Sequence, residues 1–257
     1  MGSTSNGISR RGAGISKEQL YSTKSYQERD LAGINLFDNY QLSSNVDLSD
    51  QNLQNANLEY ISFILGSLDG ADFRGAAPFD RISGSTSIRN VIFQDGGING
   101  LDLNGGRQFL VRDYDGNSPY RPSTAPTSIS VSLRFVTDGD SVLKFALEDS
   151  DWGSTILFRP GIPVTLGGTL ELNFAFGVNV GSQVGRTIRL FDWTGVSPTG
   201  QFNVVSPYAW DLSRLYSNGE VTLVPEPSAI WLTASGVIGF GMSARGRRPR
   251  QCWRWQV

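Results

Sequence analysis

The chain contains no histidine, and its single cysteine, Cys252, is one of the last six of 257 residues. Without histidine there is no Ser-His-Asp or Cys-His nucleophile system and no histidine-based metal site. One cysteine cannot form an intramolecular disulfide. The sequence also lacks a G-x-x-x-x-G-K-[ST] phosphate loop. We therefore expect a protein that is not an enzyme and that uses no cofactor and no metal.

Carboxylates are the only remaining candidates for chemistry. Glu148, Asp149 and Asp151 stand beside Trp152 in a predicted loop. Such groups could act as the acid and nucleophile of a glycosidase or as oxygen ligands of calcium. The segment 113–117, Asp-Tyr-Asp-Gly-Asn, is a second calcium candidate, although it lacks the closing bidentate Glu of a calcium loop. Surface loops of acidic proteins commonly contain such clusters, so we favour neither as a site.

Charged residues are scarce, at 18% of the chain, and they are unevenly placed. The segment from Arg245 onward holds five arginines and no acid, so residues 1–244 keep 17 basic residues (22 minus 5) against 24 acidic ones, a net charge of −7. A mildly acidic body argues against a nucleic-acid-binding surface, and we expect no nucleic acid partner. The 30 glycines and many short apolar stretches favour β structure.

One long apolar run is present, the sixteen uncharged residues from Ala229 to Ala244. As a helix it measures ~24 Å against a hydrocarbon core of ~30 Å, which is borderline for crossing a membrane. The alternative is a buried C-terminal element of a soluble domain. A short signal precedes the run, and a basic stop that favours the cytoplasmic side closes it. The signal is Val224, Pro225, Glu226, Pro227 and Ser228, and the basic stop is Arg245, Arg247, Arg248 and Arg250.

This order of Pro-Glu-Pro, apolar segment and arginines resembles the PEP-CTERM protein-sorting tail. The resemblance implies that an exosortase-type processing enzyme cleaves the tail near the Pro-Glu-Pro, so that the membrane anchor is temporary. It also implies a location in the cell envelope or outside the cell. Export requires a signal peptide, but Arg10 and Arg11 are followed by no apolar stretch, so a signal peptide is absent from this chain. We interpret the true start as lying upstream, or the gene as truncated.

A five-residue spacing of apolar residues runs through the N-terminal half. Its centres are Leu48, Leu53, Leu58, Phe63, Leu68 and Phe73 and, after an interruption at Pro78 and Ser83, Ile88, Phe93, Ile98 and Leu103. Leu31 and Leu36 are also five apart, but two extra residues separate them from Leu48. A period of five fits neither an amphipathic helix nor a single strand, and it predicts a solenoid with one corner per repeat. Ser16 and Glu18 predict a short helical cap before it.

The segment 71–75, Ala-Asp-Phe-Arg-Gly, and its neighbours resemble the pentapeptide-repeat family. The resemblance implies a right-handed β-helix in which four pentapeptides make one square coil. Residues 48–103 would then form about three coils, stacked at ~4.8 Å. Some pentapeptide proteins imitate DNA and inhibit topoisomerases, which gives a third and least favoured hypothesis for the function.

After a proline-rich linker the apolar period changes to two. Residues 129–135 alternate apolar and polar, Asp138-Gly139 predicts a hairpin turn, and 143–147 return as the partner strand. The further strands predicted are Thr155–Phe158, Ile162–Leu166, Thr169–Phe174, Thr187–Phe191, Gln201–Val205 and Glu220–Val224. Strands at this spacing with glycine turns indicate an all-β sandwich, barrel or solenoid.

The stretch 168–223 contains Phe-Asp-Trp-Thr-Gly at 191–195 and Trp-Asp-Leu-Ser-Arg-Leu-Tyr at 210–216. It resembles the C-terminal part of autotransporter-like β-solenoid passengers and many PEP-CTERM surface proteins, which implies a secreted β-rich surface region. We expect Trp193, Trp210 and Tyr216 to pack the core or cap a solenoid end. The alternative is a sugar-stacking role for Trp152, Trp193 or Trp210.

These features predict a mainly β chain with a right-handed β-helix of pentapeptide repeats, then an antiparallel β-rich or solenoid domain, then a C-terminal transmembrane helix. The predicted segments are an N-terminal segment with a short helix (1–29), the repeat β-helix (30–107), a linker (108–127), the β-rich domain (128–223), the sorting tail (224–250) and an irregular extension (251–257). The favoured function is that of a non-catalytic, exported envelope or matrix protein with a structural or adhesive role. The alternative is a surface carbohydrate-binding module with extracellular polysaccharide as its partner.

Overall fold

The computed structural model describes residues 14–120, 128–149 and 151–226, and within them the chain is mainly β, as predicted. The described helical elements are all short: α1 (Lys17–Tyr21), α2 (Lys24–Gln27), α3 (Leu215–Asn218) and 3-10 turns at Tyr40–Leu42 and Val180–Gln183. None of the helices in these ranges has the length and apolar character needed to cross a membrane. The predicted transmembrane segment, 229–244, lies outside the described residues.

Helix α1 closes the start of the repeat region. Its N-cap is Ser16, whose hydroxyl accepts a hydrogen bond from the Gln19 N–H at 3.2 Å. The Gln19 side chain in turn accepts from the Ser16 N–H at 2.8 Å, which completes a capping box. Leu20 on the helix is fully buried in the core of the repeats. The hydroxyl of Tyr21 accepts a hydrogen bond from the Asp47 N–H at 2.7 Å. The helix therefore contacts the repeats through an apolar side chain, Leu20, and through a hydrogen bond.

The first module, residues 14–95, is built from parallel ladders to which the chain returns every 20 residues. Parallel bridges join Asp47 to Ser67 and Ser67 to Ser87, and others join Asn52 to Asp72 and Asp72 to Ile92. Strand β1 (Ser62–Ile64) pairs in parallel with β2 (Arg81–Ser83), where Ser62 faces Arg81 and the return is one residue shorter. Twenty residues are four pentapeptides, and we call each such return of the chain a circuit.

An earlier circuit of the first module is two residues longer. The bridges from Asp30 to Asn52 and from Asn35 to Asn57 each span 22 residues. The additional residues fall where the chain forms the 3-10 turn at Tyr40–Leu42, between Leu36 and Leu48. The local turn therefore accommodates the two extra residues of the sequence repeat, and the parallel ladders continue after it.

Most predicted repeat centres face the core. Those buried are Leu48, Leu53, Leu58, Phe63, Leu68, Phe73, Ile98 and Leu103. The prediction is wrong for Ile88, which is 41% exposed, while Phe93 is only partly buried. No described residue pairs beyond Ser87 or Ile92 in these ladders, so Ile88 and Phe93 belong to the last circuit of the first module. Val91 and Ile92 are buried in their place.

The corners between repeats lie two residues after each centre and adopt a left-handed backbone. Positive φ angles occur at every fifth residue: Asn45, Asp50, Asn55, Tyr60, Leu65, Gly70 and Gly75. Glycine, asparagine and aspartate tolerate this region, whereas other L-residues pay a steric cost there. Tyr60 and Leu65 therefore hold strained corners, with φ of 63° and 58°.

The second module, residues 96–224, contains two mostly parallel sheets. The first sheet comprises β3 (Gly97–Leu103), β5 (Ile129–Thr137), β7 (Ile156–Phe158), β8 (Val164–Leu166), β11 (Phe191–Asp192) and β12 (Thr199–Gly200). The second comprises β4 (Gln108–Arg112), β6 (Val142–Leu147), β9 (Thr169–Phe174) and β13 (Asn203–Val205). Side chains of both sheets meet in one core, where the rings of Phe135 and Phe145 each contact Phe191.

Antiparallel pairing is confined, among the described strands, to one end of the second module. There β15 (Glu220–Leu223) pairs with β10 (Thr187–Arg189) and β14 (Trp210–Asp211). Helix α3 precedes β15 and ends at Gly219, whose φ of 75° closes the helix with a left-handed residue. The second module therefore ends in a small antiparallel sheet that follows its parallel sheets.

The predicted hairpin at Asp138-Gly139 is wrong. Strands β5 and β6 flank this turn, but they lie in different sheets, and each pairs in parallel with strands from other circuits. Alternation of apolar and polar residues is the same in both arrangements, so the sequence period does not distinguish them. The linker also begins later than predicted, because Gln108–Arg112 forms strand β4.

The strained corner at Leu65 gives a test of the repeat geometry. Leu65→Asn is expected to raise the free energy of unfolding by about 1 kcal/mol, because asparagine tolerates the left-handed region better than leucine. Leu133→Asn is the matched control, since Leu133 is similarly exposed, at 63% against 54%, but lies in regular strand β5. Urea unfolding of the full chain measures both. A loss of stability in Leu65→Asn equal to that of the control contradicts the corner assignment.

Candidate functional site

The two modules meet along one side of the first, the side that carries Asn52, Asp72 and Ile92. On this side Asn52 and Asp72 carry polar side chains, whereas Ile92 contributes an apolar side chain to the core of the second module. At the centre of the contact lie Asp72 and Arg74, which are 1% and 0% exposed. Their closest approach is 2.6 Å, between Arg74 Nη2 and Asp72 Oδ2.

The buried ion pair is held by residues of both modules. Arg74 donates to the Ser154 hydroxyl at 2.6 Å and to the Arg112 carbonyl at 2.9 Å. From the first module, Gln54 donates to Asp72 at 2.9 Å and to the Asp113 carbonyl at 3.1 Å. Each partner of the pair therefore has hydrogen bonds that satisfy it without water, as a buried charge requires.

Electrostatics at the junction favour the ionised form of Asp72. Burial by itself raises the pKa of this carboxyl, but the charge of Arg74, with hydrogen bonds from Arg74 and Gln54, outweighs burial and lowers the pKa below its ordinary value. The carboxylate and the guanidinium thus stabilise each other, and the removal of either leaves an uncompensated buried charge.

A groove runs beside one corner of this junction. The corner stacks Arg29, Asp50, Gly70 and Asn90, all with positive φ. One cavity of about 440 Å³ lies against it, and a second of about 510 Å³ adjoins the first, with Arg89, Asn90 and Arg107 in the walls of both. We call this pair of cavities the junction groove.

Asn90 fixes the wall of the junction groove to the second module. Its side-chain oxygen accepts from the Asp102 N–H at 2.8 Å, and its side-chain nitrogen donates to the Asp102 carbonyl at 3.1 Å. The amide thereby satisfies the backbone of edge strand β3 as a neighbouring strand would. The groove is therefore walled by two modules held in a fixed register.

A separate, acidic cavity of about 400 Å³ lies at the next corner and brings together residues of both calcium candidates of the sequence. Its walls include Asp113, Asp115, Glu148 and Asp149. Burial, followed by the negative charges of Asp113, Asp149 and Asp115, raises the pKa of Glu148. Even so, no three acidic side chains of the described residues converge closely enough to hold a metal ion.

The tryptophans proposed for sugar stacking are packed within the second module. Trp193 is 7% exposed, stacks on Phe191 at 4.6 Å between ring centroids, and donates its indole N–H to the Leu215 carbonyl. Trp210 stacks on Phe174 at 5.9 Å, and Trp152 contacts Phe145 at 5.8 Å.

The predicted sorting signal begins directly after the last described strand, β15. The Val224 N–H donates to the Ala209 carbonyl at 3.0 Å, and the compact unit that holds both modules ends at this residue. Pro225 and Glu226 are exposed. The rest of the predicted signal and basic stop lies outside the described residues, namely Pro227, Ser228, Arg245, Arg247, Arg248 and Arg250.

The sequence did not reveal the junction residues. Asp72 and Arg74 were visible only as part of a repeat, although an acid and a base two residues apart on one side of a ladder share an outward face. Comparisons with protein-family models, curated proteins and solved structures find no match to the chain. Function is therefore inferred from the residues of the chain.

Removal of the guanidinium tests the role of the buried pair. Arg74→Met is expected to lower the free energy of unfolding by about 3–5 kcal/mol, because it leaves Asp72 charged and unpaired in the junction. Arg134→Met is the control, since the Arg134–Asp102 pair is 2.6 Å long but Arg134 is 58% exposed, so a loss below about 1 kcal/mol is expected. Denaturant unfolding measures both, and equal losses would contradict the assignment.

Acid should weaken the junction in a defined direction. Because the folded pKa of Asp72 lies below its ordinary value of 3.8, its contribution to stability is complete above that pH and is lost as the pH falls through the folded pKa. The double variant Asp72→Asn/Arg74→Met lacks this proton linkage. The unfolding free energy of the wild type minus that of the double variant should therefore fall as the pH is lowered from about 6 to about 2. A constant difference between them over the whole range is the contrary result.

Proposed function

We propose that this chain is a non-catalytic, exported surface protein whose two modules form a continuous β-helical body, delivered by a PEP-CTERM-type tail. The observation that carries the proposal is the position of the Pro-Glu-Pro signal. The folded unit ends at Val224, one residue before Pro225. Cleavage near the signal therefore removes the tail and leaves every buried core residue up to Leu223 in place.

The ladders support a β-helix in both modules. In the first, four pentapeptides per return fit the square coil of the family that the repeat resembles. In the second, parallel sheets with a shared core fit a flattened coil of the same general kind. The right-handed sense of the coil is part of this proposal. Such bodies present long, regular surfaces, which suits a structural or adhesive role.

The lack of histidine and the placement of the only cysteine beyond the tail support a non-catalytic role. A surface carbohydrate-binding module is the second candidate. The packing of Trp193 and Trp210 argues against sugar stacking on those residues, whereas the junction groove offers polar side chains that hydrogen-bond sugars. DNA mimicry has no feature in its favour beyond the repeat.

The tail assignment is tested by the mass and location of the mature protein in its native host. We expect a product that ends near Pro225-Glu226-Pro227 and is found in the envelope or the medium, because the exosortase-type enzyme separates the tail there. Pro225→Ala/Pro227→Ala should leave the tail uncleaved. Pro198→Ala/Pro207→Ala, the matched control within the second module, should be processed normally. A full-length cytosolic product that still contains Cys252 would refute the proposal.

A further inference from the structure

We propose that the junction groove binds a linear polysaccharide that carries carboxylate groups, and that Arg89 and Arg107 pair with those carboxylates. The choice of polymer rests on the proposed function, because an exported surface protein is surrounded by polysaccharide. The groove, its unpaired charge and its polar walls are properties of the folded body and hold regardless of how the chain is sorted.

The uncompensated charges of the groove are the positive charges of Arg89 and Arg107 and the negative charge of Asp69. Arg29 is paired with Asp50 at 2.8 Å and Arg134 with Asp102 at 2.6 Å, so these charges are largely compensated. Arg89 and Arg107 are exposed and line both cavities of the groove.

Within the part of the chain that the structure describes, the side chains of Arg89 and Arg107 have no hydrogen-bond or ion-pair partner. A planar guanidinium binds a carboxylate through two parallel N–H···O bonds, which an ammonium does not reproduce. Two such groups facing one groove, in a body whose net charge is negative, select an anionic ligand.

The extent of the groove fits a polymer. The corner residues Asp50, Gly70 and Asn90 belong to successive circuits, so they span ~10 Å at the inter-strand spacing of ~4.8 Å. The second cavity extends the groove along β3 to Asn104 and across to Leu133. The two volumes of about 440 and 510 Å³ exceed the space that a single carboxylate ion needs.

The remaining polar groups suit sugar hydroxyls. Asp69 is held in place because its Oδ1 accepts from the Ser87 hydroxyl at 2.6 Å and from the Arg89 N–H at 2.8 Å. No described residue donates to its Oδ2, which is left to accept a hydroxyl hydrogen. Asn99 and Gln108 are exposed on the walls and offer both donors and acceptors.

The same walls disfavour a nucleic acid. Asp50, Asp69 and Asp102 lie among the arginines, where they repel a closely spaced phosphate backbone. The walls formed by described residues contain no aromatic side chain on which bases could stack. A polymer with hydroxyl groups and one carboxylate on each sugar fits this alternation of charges better.

The test is the binding of the full chain to polygalacturonate, with its methyl-esterified form as the matched neutral polymer. Arg89→Gln/Arg107→Gln should weaken binding to polygalacturonate by about tenfold or more, because it removes two bidentate carboxylate contacts. Arg81→Gln/Arg159→Gln changes the net charge equally at exposed sites outside the groove, and should weaken binding by less than about twofold. Both pairs are exposed, so circular dichroism should show an unchanged fold.

Four results would overturn the inference: no binding by the wild-type chain, equal losses in the two double variants, equal binding of the esterified polymer, or equally tight binding of single-stranded DNA at the same salt concentration. The outcome is separable from that of the sorting experiment. A chain that is processed and exported but does not bind polygalacturonate refutes only this inference. A chain that binds but remains uncleaved in the cell refutes only the proposed function.

Discussion

The buried pair of Asp72 and Arg74 is the contact on which the arrangement of this protein depends. It places two opposite charges where both modules exclude water, and it draws Gln54, Arg112 and Ser154 into one hydrogen-bonded group. A buried pair of this kind is a weak source of net stability but is intolerant of any change in geometry. Its main consequence here is therefore register, since only one placement of the modules satisfies every partner.

That register determines the surface features on which the proposed ligand binding depends. The junction groove exists because the stacked corner of the first module faces the start of strand β4 at a fixed distance, with Asn90 bonded to Asp102 beside it. The acidic cavity at the next corner has the same origin. The buried pair of Asp72 and Arg74 thus lies between the junction groove, which holds unpaired arginines, and the acidic cavity, which holds several carboxylates.

The sequence predicted the features that depend on local periodicity and missed those that depend on contacts distant in the chain. The five-residue period correctly placed residues such as Leu53 and Phe73 in a core, and Ser16 was identified as a helix cap. Most of the left-handed corners carry Asn, Asp or Gly two residues after the centre, which is a sequence signal for a corner, whereas Tyr60 and Leu65 give no such signal. Parallel and hairpin pairing of β5 and β6 share one alternation, so the sequence alone could not separate them. The burial of Arg74 was invisible because its partners Ser154 and Arg112 lie far along the chain.

We infer that the two modules unfold as one cooperative body, which can be examined by following unfolding with two probes. In a chain with Trp231, Trp253 and Trp255 replaced by phenylalanine, the remaining tryptophans all lie in the second module, so fluorescence reports on that module alone. Far-ultraviolet circular dichroism reports on the strands of both. We expect the two signals to change together in a single denaturant transition. Two separate transitions, with the tryptophan signal changing apart from a substantial part of the dichroism, would contradict it.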